Sequence, residues 1–116
     1  MGRRLLGVLG LALLPAVTAA CGDDADGDGA PSIVSVEPMA GGLHVTWSLP
    51  ARCDAVEVER QSPGGAFEVV YTLPGAADNK HDGTATEDFV YTYRVRCKVG
   101  DGYTPYSNEV GADPVG

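Results

Sequence analysis

The segment Tyr91-Thr92-Tyr93-Arg94-Val95-Arg96-Cys97-Lys98-Val99 alternates apolar and polar side chains without a break. A period of two is typical of a β-strand that buries one face and exposes the other. The odd-numbered side chains of this segment would therefore face a core, and the even-numbered ones would face water. We predict that residues 89–99 form the longest strand of the protein.

The same period appears in shorter segments that are separated by glycine and proline. Leu43, Val45 and Trp47 share one face of a segment that follows a turn at Gly41-Gly42. Further strands are predicted at residues 33–36, where Pro38 would end the strand, and at residues 56–59, 67–73 and around residue 110. Short alternating strands with frequent turn residues indicate an all-β sandwich or barrel. With 116 residues, the chain has room for one such domain.

The first twenty residues have the three parts of a secretory signal peptide. Arg3 and Arg4 form a positive start, residues 5–17 form an apolar run, and Thr18-Ala19-Ala20 are small residues of the kind that precede a cleavage site. The apolar run is shorter than the roughly 20 residues that a spanning helix needs. Residues 1–20 are therefore predicted to be a signal peptide, with a retained membrane anchor as the alternative.

Cys21 follows these small residues directly, and residues 17–21 resemble the lipobox of bacterial lipoproteins. The resemblance implies that Cys21 is lipidated and holds an exported protein to a membrane of the cell envelope. Because Gly22 follows the cysteine, it also implies the outer membrane if the host has two. Thr18 stands where the lipobox usually has Leu, so ordinary cleavage after Ala20 stays open as an alternative.

Residues 21–30 are predicted to be a tether, because the acidic run GDDADGDGA that follows Cys21 contains no side chain large enough to bury. Asp24, Asp26 and Asp28 match the opening of a calcium loop, but Ser35 stands where that loop needs Glu, so no metal or other cofactor is predicted. Loss of Arg3 and Arg4 would take the formal charge from −8 to −10. Such a charge repels a polyanion, so nucleic acid is excluded as a partner.

Over residues 31–112 the order of these anchors resembles a fibronectin type III domain. The matching motifs are GLHVTW followed by Pro50 for strand B, VEVER at 56–60 for strand C, Asp82 for the start of strand E, YTYRVRC at 91–97 for strand F and YSNEV at 106–110 for strand G. The resemblance implies a seven-stranded immunoglobulin-like β-sandwich over residues 31–116, expected to be a monomer. It also makes Trp47 and Tyr91 structural core residues, with Tyr91 in the tyrosine corner of sandwich domains.

The cysteine count agrees with this interpretation. Three cysteines in an exported protein leave one unpaired, and lipidation of Cys21 would leave Cys53 and Cys97 as an even pair. In the resembled topology, the start of strand C and the end of strand F lie at the same end of one sheet, which implies a Cys53–Cys97 disulfide. By loop-closure entropy, such a bridge contributes about 4 kcal/mol. Two buried free thiols are the alternative.

No catalytic motif is present in the sequence. His44 and His81 fall on different segments, and Asp78, His81 and Asp82 are more typical of a polar turn than of a metal site. The sequence also lacks a G-x-S-x-G elbow, a phosphate-binding glycine loop and a CxxC pair. We therefore predict that the protein is not an enzyme.

Two classes of function remain. The first is an interaction or spacer module at the cell surface that binds protein partners through loops, with Tyr103 and Tyr106 in the loop at residues 99–106 as binding residues. In this interpretation Tyr103 supports little of the core, and Tyr106 has packing at the start of the last strand as its alternative role. The second class is a carbohydrate-binding accessory domain, which should display several exposed coplanar aromatic rings.

Overall fold

A computed structural model describes residues 29–115, which form two antiparallel sheets packed face to face. The predicted signal peptide, Cys21 and residues 22–28 of the predicted tether lie outside the described residues. The strands are β1 Ser32–Met39, β2 Gly42–Ser48, β3 Ala55–Gln61, β4 Glu68–Pro74, β5 Asn79–Asp82, β6 Tyr91–Val99, β7 Gly102–Tyr103 and β8 Val110–Ala112. Within this range, no helix is both long enough and apolar enough to cross a membrane.

The first sheet has the order β1-β2-β5, and the second has the order β4-β3-β6 with β7 and β8 both paired to β6. Together β7 and β8 take the place of one last strand beside β6. The predicted seven-stranded immunoglobulin-like sandwich is therefore confirmed, with its last strand in two parts.

The interruption between β7 and β8 lies around Pro105, which has no N–H to donate to β6. Two neighbouring hydroxyl groups supply acceptors for the strand beside it. Thr104 Oγ1 accepts a hydrogen bond from the Cys97 N–H at 2.9 Å, and Ser107 Oγ accepts one from the Val95 N–H at 2.9 Å. The edge of β6 thus keeps its hydrogen bonds where the ladder is broken.

The core lies between the two sheets and consists of the inward side chains that the period of two predicts. They are Ile33, Leu43, Val45 and Trp47 from the first sheet and Val56, Val58, Tyr91, Tyr93, Val95 and Cys97 from the second. Trp47 is 2% exposed, and its Nε1 donates a hydrogen bond to the Ala77 carbonyl at 2.9 Å. A buried indole with a satisfied N–H contributes its full apolar area to the core.

Two local predictions in the first hairpin are wrong. The turn is formed by Ala40 and Gly41, with φ of 43° and 83°, and Gly42 already belongs to β2. Positive φ at both turn residues is the type I′ pattern, whose twist matches that of the flanking strands. Pro38 does not end β1 but pairs with Leu43. Because β1 is an edge strand, the missing N–H of Pro38 costs no ladder bond.

The predicted disulfide is confirmed. Cys53 and Cys97 are bonded, with their Cα atoms 5.3 Å apart. The bond joins the residues leading into β3 to the later half of β6, its neighbour in the second sheet. It therefore ties together the two central strands of that sheet.

Tyr91 is 3% exposed at the start of β6, and its hydroxyl accepts a hydrogen bond from the Glu87 N–H at 3.1 Å. Tyr91→Phe should lower the free energy of unfolding by about 1 kcal/mol, because the ring packing is kept and one hydrogen bond is lost. Denaturant unfolding of the variant and the wild type measures this difference. A loss of several kcal/mol would contradict the small role given to the hydroxyl group.

Candidate functional site

The outer face of the second sheet carries three aromatic rings with two arginines between them. We call the stack of Phe67, Arg94, Tyr106, Arg96 and Tyr103 the arginine–aromatic ladder. The Arg94 guanidinium carbon lies 4.1 Å from the ring centroid of Phe67 and 3.7 Å from that of Tyr106. The Arg96 carbon lies 4.9 Å from Tyr106 and 3.7 Å from Tyr103. Each guanidinium is thus held between two rings by cation–π contacts.

Two carboxylates on β3 hold the two arginine side chains in place through charged hydrogen bonds. Glu59 pairs with Arg94 in the strand register, and Glu57 pairs with Arg96. Glu59 Oε1 lies 2.8 Å from both Nε and Nη2 of Arg94, and Glu57 Oε1 accepts from Arg96 Nε at 3.0 Å. Opposite charges directly across neighbouring strands attract, so the register of the sheet itself builds the ladder.

Tyr106 connects the two arginines to the carboxylates. Its hydroxyl donates a hydrogen bond to Glu59 Oε2 at 2.8 Å. Burial and this hydrogen bond both raise the pKa of Tyr106. Burial alone would lower the pKa of Arg96, but the hydrogen bond to Glu57 and the nearby negative groups raise it overall. Tyr106 therefore stays a donor and Arg96 stays charged at ordinary pH.

The structure brings the two predicted binding residues, Tyr103 and Tyr106, into one ladder. Tyr106 is half-buried inside it, and Tyr103 ends it with 47% of its surface exposed. The prediction that both lie in one loop is wrong for Tyr103, because Gly102 and Tyr103 form β7 and Tyr103 pairs with Lys98. The two-residue turn at Gly100 and Asp101, with positive φ at Gly100, makes this pairing possible.

Tyr103→Ala should therefore lower the free energy of unfolding by about 0.5–1 kcal/mol, the usual value of an exposed cation–π contact. The alanine variant loses one of the two aromatic rings that contact the Arg96 guanidinium group. Tyr103→Phe is the matched control and should unfold like the wild type, because it keeps the ring. Urea unfolding of both variants checks this, and equal stability of Tyr103→Ala and Tyr103→Phe would contradict a supporting role for the ring.

An open groove of about 410 Å³ lies next to Tyr103 at one end of the sandwich. Its lining is mostly apolar and includes Pro50, Ala51 and Val99, with Arg52 as a charged rim residue and Gly29 at one wall. The Arg52 side chain is 68% exposed and lies 3.5 Å from Asp54. We call this end of the sandwich the groove end.

Asp82, which the sequence placed in a polar turn, is instead a buried centre of hydrogen bonding and is 1% exposed. Oδ2 accepts from Arg60 Nη1 at 2.8 Å and from the Tyr93 hydroxyl at 2.7 Å. Oδ1 accepts from the Tyr71 hydroxyl at 2.9 Å and from the Thr84 hydroxyl and N–H at 2.6 and 3.0 Å. Both carboxylate oxygens are thus occupied by donors from four parts of the chain.

The charge of Asp82 is stabilised by these donors. Burial alone would raise the pKa of Asp82, but the hydrogen bonds from Thr84, Tyr93 and Arg60 outweigh it and lower the pKa to about 2. Burial and the neighbouring carboxylate strongly raise the pKa of Tyr93, so its hydroxyl stays a donor. This arrangement has a structural role. Because both of its carboxylate oxygens accept hydrogen bonds, Asp82 does not act as a metal ligand together with Asp78 and His81.

The two histidines, which the sequence places on separate segments, are direct partners across β2 and β5. Both are half-buried, with ring centroids 6.0 Å apart. The Nδ1 atom of His44 is buried and has no hydrogen-bond partner among the described residues. In residues 29–115, no three His, Cys, Asp or Glu side chains come together as metal ligands would.

Sequence reasoning missed the middle of the ladder. Arg94 and Arg96 occupy outward positions of the alternating segment that predicted β6, and Glu57 and Glu59 occupy outward positions of β3. Matching opposite charges on two predicted neighbours could have found these four residues. Phe67 gave no such signal, because it lies just before β4 and its position depends on the turn that precedes it.

No protein-family profile matches the chain, and no curated protein is similar to it in sequence. Solved structures are similar in fold. The Fn3-like protein from Clostridium thermocellum has 22% identity and a TM-score of 0.60, covering 70% of this chain and 86% of that one. The sixth fibronectin type III domain from human fibronectin type III domain containing protein 3 has 17% identity and a TM-score of 0.62, with coverages of 72% and 82%.

Pectate lyase PelI from Erwinia chrysanthemi, in complex with tetragalacturonic acid, has 16% identity and a TM-score of 0.63. The match covers 71% of this chain but only 28% of the lyase chain. At these identities the likeness concerns the fold alone. Together with the strand order and the two-sheet core, it establishes that this chain has a fibronectin type III fold.

Proposed function

We propose that the protein is an exported, lipid-anchored and non-catalytic interaction or spacer module that contacts a protein partner through the arginine–aromatic ladder. The observation that carries this proposal is the position of Tyr103. Its ring is 47% exposed and rests on Arg96, which Glu57 and Tyr106 hold in turn. A rigid Tyr beside Arg is the composition that protein interfaces favour, because it offers contact area at a low cost in entropy.

The chemistry of the other candidate groups supports a non-catalytic role. Cys53 and Cys97 are bonded to each other and have no thiolate to offer. Asp82 is saturated with donors, and Glu57 and Glu59 are paired with arginines. These carboxylates and the disulfide are engaged in contacts within the domain, which favours a structural rather than a catalytic role for them.

A protein partner is favoured over a carbohydrate by the exposure of the aromatic rings. Among residues 29–115, Tyr103 is the only aromatic residue with more than about a third of its surface exposed. A sugar platform needs several such rings in one plane. The similarity to a pectate lyase bound to tetragalacturonic acid covers only 28% of that enzyme, and it makes acidic oligosaccharides the ligand class to include in the test.

The anchor is tested by the intact mass of protein purified from membranes of its host. We expect cleavage before Cys21 and a mass increase that corresponds to acyl chains. An unmodified amino-terminal Cys21, or protein released into the medium, would contradict the anchor. Because Gly22 follows Cys21, fractionation should place the protein in the outer membrane of a host with two membranes.

Partner binding is tested with a photo-crosslinking residue placed at Tyr103 in the full-length protein in its own envelope. Val34 is the control, because it is 68% exposed on β1, which belongs to the other sheet. We expect a defined protein adduct from position 103 and none from position 34. Equal adducts from both positions would contradict a site at the ladder, and retention on acidic oligosaccharides would favour the carbohydrate alternative.

A further inference from the structure

The two histidines lie side by side on the outer face of the first sheet. His44 of β2 and His81 of β5 are direct partners in the strand register. The inward positions of β2 are the buried Leu43, Val45 and Trp47, so His44 points away from the core, and His81 points the same way. Both residues are half-buried, and their ring centroids lie 6.0 Å apart. The sheet therefore presents two imidazole groups together on one surface.

The hydrogen-bond pattern between β2 and β5 brings these two side chains close. The Trp47 N–H donates to the Asp78 carbonyl at 2.9 Å, which makes these residues a hydrogen-bonded pair. Hydrogen-bonded and non-hydrogen-bonded pairs alternate along an antiparallel ladder. His44 and His81 come three positions later in this register, so they form a non-hydrogen-bonded pair, whose Cα atoms are typically about 4.5 Å apart. Both side chains can therefore reach one ion above the strands.

At least one ring nitrogen of this pair has no role in holding the fold together. His44 Nδ1 is buried and has no hydrogen-bond partner among the described residues. Nε2 of His81 would lie 4.0 Å from a Cβ built on Gly83, an exposed residue that has no side chain to cover it. A buried polar atom without a partner is unusual in a native protein and is a position where an ion or water is expected.

The charges on this face favour a cation. Glu37 of β1 pairs with His44 on the other side of β2 and is exposed. The one basic residue in these three strands is Lys80, which pairs with the inward-facing Val45. Its Nζ lies 4.7 Å from the ring centroid of Tyr71. The histidine pair thus has a carboxylate beside it on the outer face of the sheet and no basic side chain from its three strands there.

We propose that His44 and His81 together bind one divalent first-row transition-metal ion, with Cu²⁺ bound most tightly. Each ring supplies one nitrogen, and Glu37 supplies negative charge nearby. Imidazole suits copper, nickel and zinc, and the affinity of such a site rises along the series to Cu²⁺ and falls again at Zn²⁺. Because residues 29–115 bring no third ligand side chain to the pair, water fills the other positions.

The bound ion links β2 to β5 across the first sheet. A structural zinc site uses four protein ligands, whereas this site uses two and stays open to solvent, so its ion can be exchanged. The arginine–aromatic ladder lies on the second sheet, and the metal site shares no residue with it. The metal site is therefore independent of the proposed partner binding, and either can fail without the other.

Copper binding is tested on the full-length protein purified from membranes of its host, with any free thiol blocked beforehand. Cu²⁺ is added as the only metal. A competition titration measures its affinity and stoichiometry, and electron paramagnetic resonance identifies the ligand atoms by their hyperfine splitting. We expect one ion per chain with two nitrogen ligands. No binding, or ligation by oxygen atoms alone, would overturn the proposal.

Two variants test the ligands themselves. His44→Gln and His81→Gln should each weaken Cu²⁺ binding by at least about tenfold, since even the loss of a group that only orients a metal ligand costs about 10–100-fold. Asn79→Ala is the matched control, because Asn79 lies on the same face of β5 two residues before His81. It should bind Cu²⁺ like the wild type, and circular dichroism checks that all three variants are folded. Unchanged affinity in either histidine variant, or an equal loss in the control, would overturn the site.

The acidic run before Gly29 is the competing source of ligands in the same chain. It supplies carboxylate oxygens from Asp23, Asp24, Asp26 and Asp28. Replacing these four residues with serine should leave the signal of two nitrogen ligands unchanged, and its loss would overturn the assignment to the histidines. Glu37→Gln should weaken Cu²⁺ binding at low salt and have less effect at high salt, because salt screens an exposed charge. Equal affinity of Glu37→Gln and the wild type at low salt would contradict the role given to Glu37.

Discussion

Replacing Trp47 with alanine should lower the free energy of unfolding by about 3–5 kcal/mol, the usual cost of removing a large aromatic side chain from a core. Trp47 is 2% exposed between the two sheets, and its indole N–H is bonded to the Ala77 carbonyl. Truncation leaves a cavity and an unpaired carbonyl group. Small domains have only about 5–15 kcal/mol of stability in total, so the variant should be partly unfolded at moderate temperature.

Trp47→Phe is the control for this effect. It keeps most of the ring volume, loses the hydrogen bond to Ala77, and should cost less than the alanine variant. Trp47 is the only tryptophan, so unfolding should be followed by circular dichroism rather than by fluorescence. A Trp47→Ala protein with the stability of the wild type would contradict the role given to this side chain in the core.

Asp82→Ala should also cost about 3–5 kcal/mol, because removal of one partner from a buried ion pair leaves the other uncompensated. Arg60, Tyr71 and Tyr93 would lose their common acceptor in one step. Asp101→Ala is the matched control. Asp101 is exposed in the turn between β6 and β7, and its replacement should change stability by less than about 0.5 kcal/mol. Comparable losses in both variants would contradict a special role for Asp82.

The same carboxylate should make stability depend on pH. The pKa of Asp82 is lowered from 3.8 to about 2 in the folded protein. Its contribution is therefore complete above pH 3.8 and is lost as the pH falls toward 2. We expect about 2 kcal/mol from this group over that window. The difference in stability between the wild type and Asp82→Asn should shrink as the pH falls through it, and a constant difference would contradict the assignment.

The strands could be predicted because their signal is local. In β2 and β6 the inward and outward side chains alternate along the sequence, and burial follows this alternation from Leu43 to Trp47 and from Tyr91 to Lys98. The errors occurred where a tertiary feature decides the outcome. Pro38 is tolerated because β1 is an edge strand, and Gly42 is needed because a Cβ there would collide with the Asp82 backbone. The sequence of one segment shows neither the edge position of β1 nor the close approach of the Asp82 backbone to Gly42.

The candidate site was harder to predict, because its residues come together only through the sheet register. The sequence identifies Tyr103 and Tyr106 only as aromatic residues of one predicted loop, yet their arrangement depends on two arginines of β6. The surroundings of Asp82 are equally non-local, since Arg60 belongs to β3, Tyr71 to β4 and Tyr93 to β6. Sequence patterns indicate which face a side chain occupies, but not which distant side chain it meets.

The Cys53–Cys97 bond also changes how the protein responds to mechanical force. A pull along the chain from the tether would pass through the sulfur atoms and bypass the residues between them. The 44 residue steps in that loop correspond to about 160 Å of extended chain that force cannot release while the bond is intact. A module stretched between a membrane and a partner would therefore lengthen much less under oxidising conditions than after reduction. The strands β3, β4 and β5 and most of β6 would be shielded from the load.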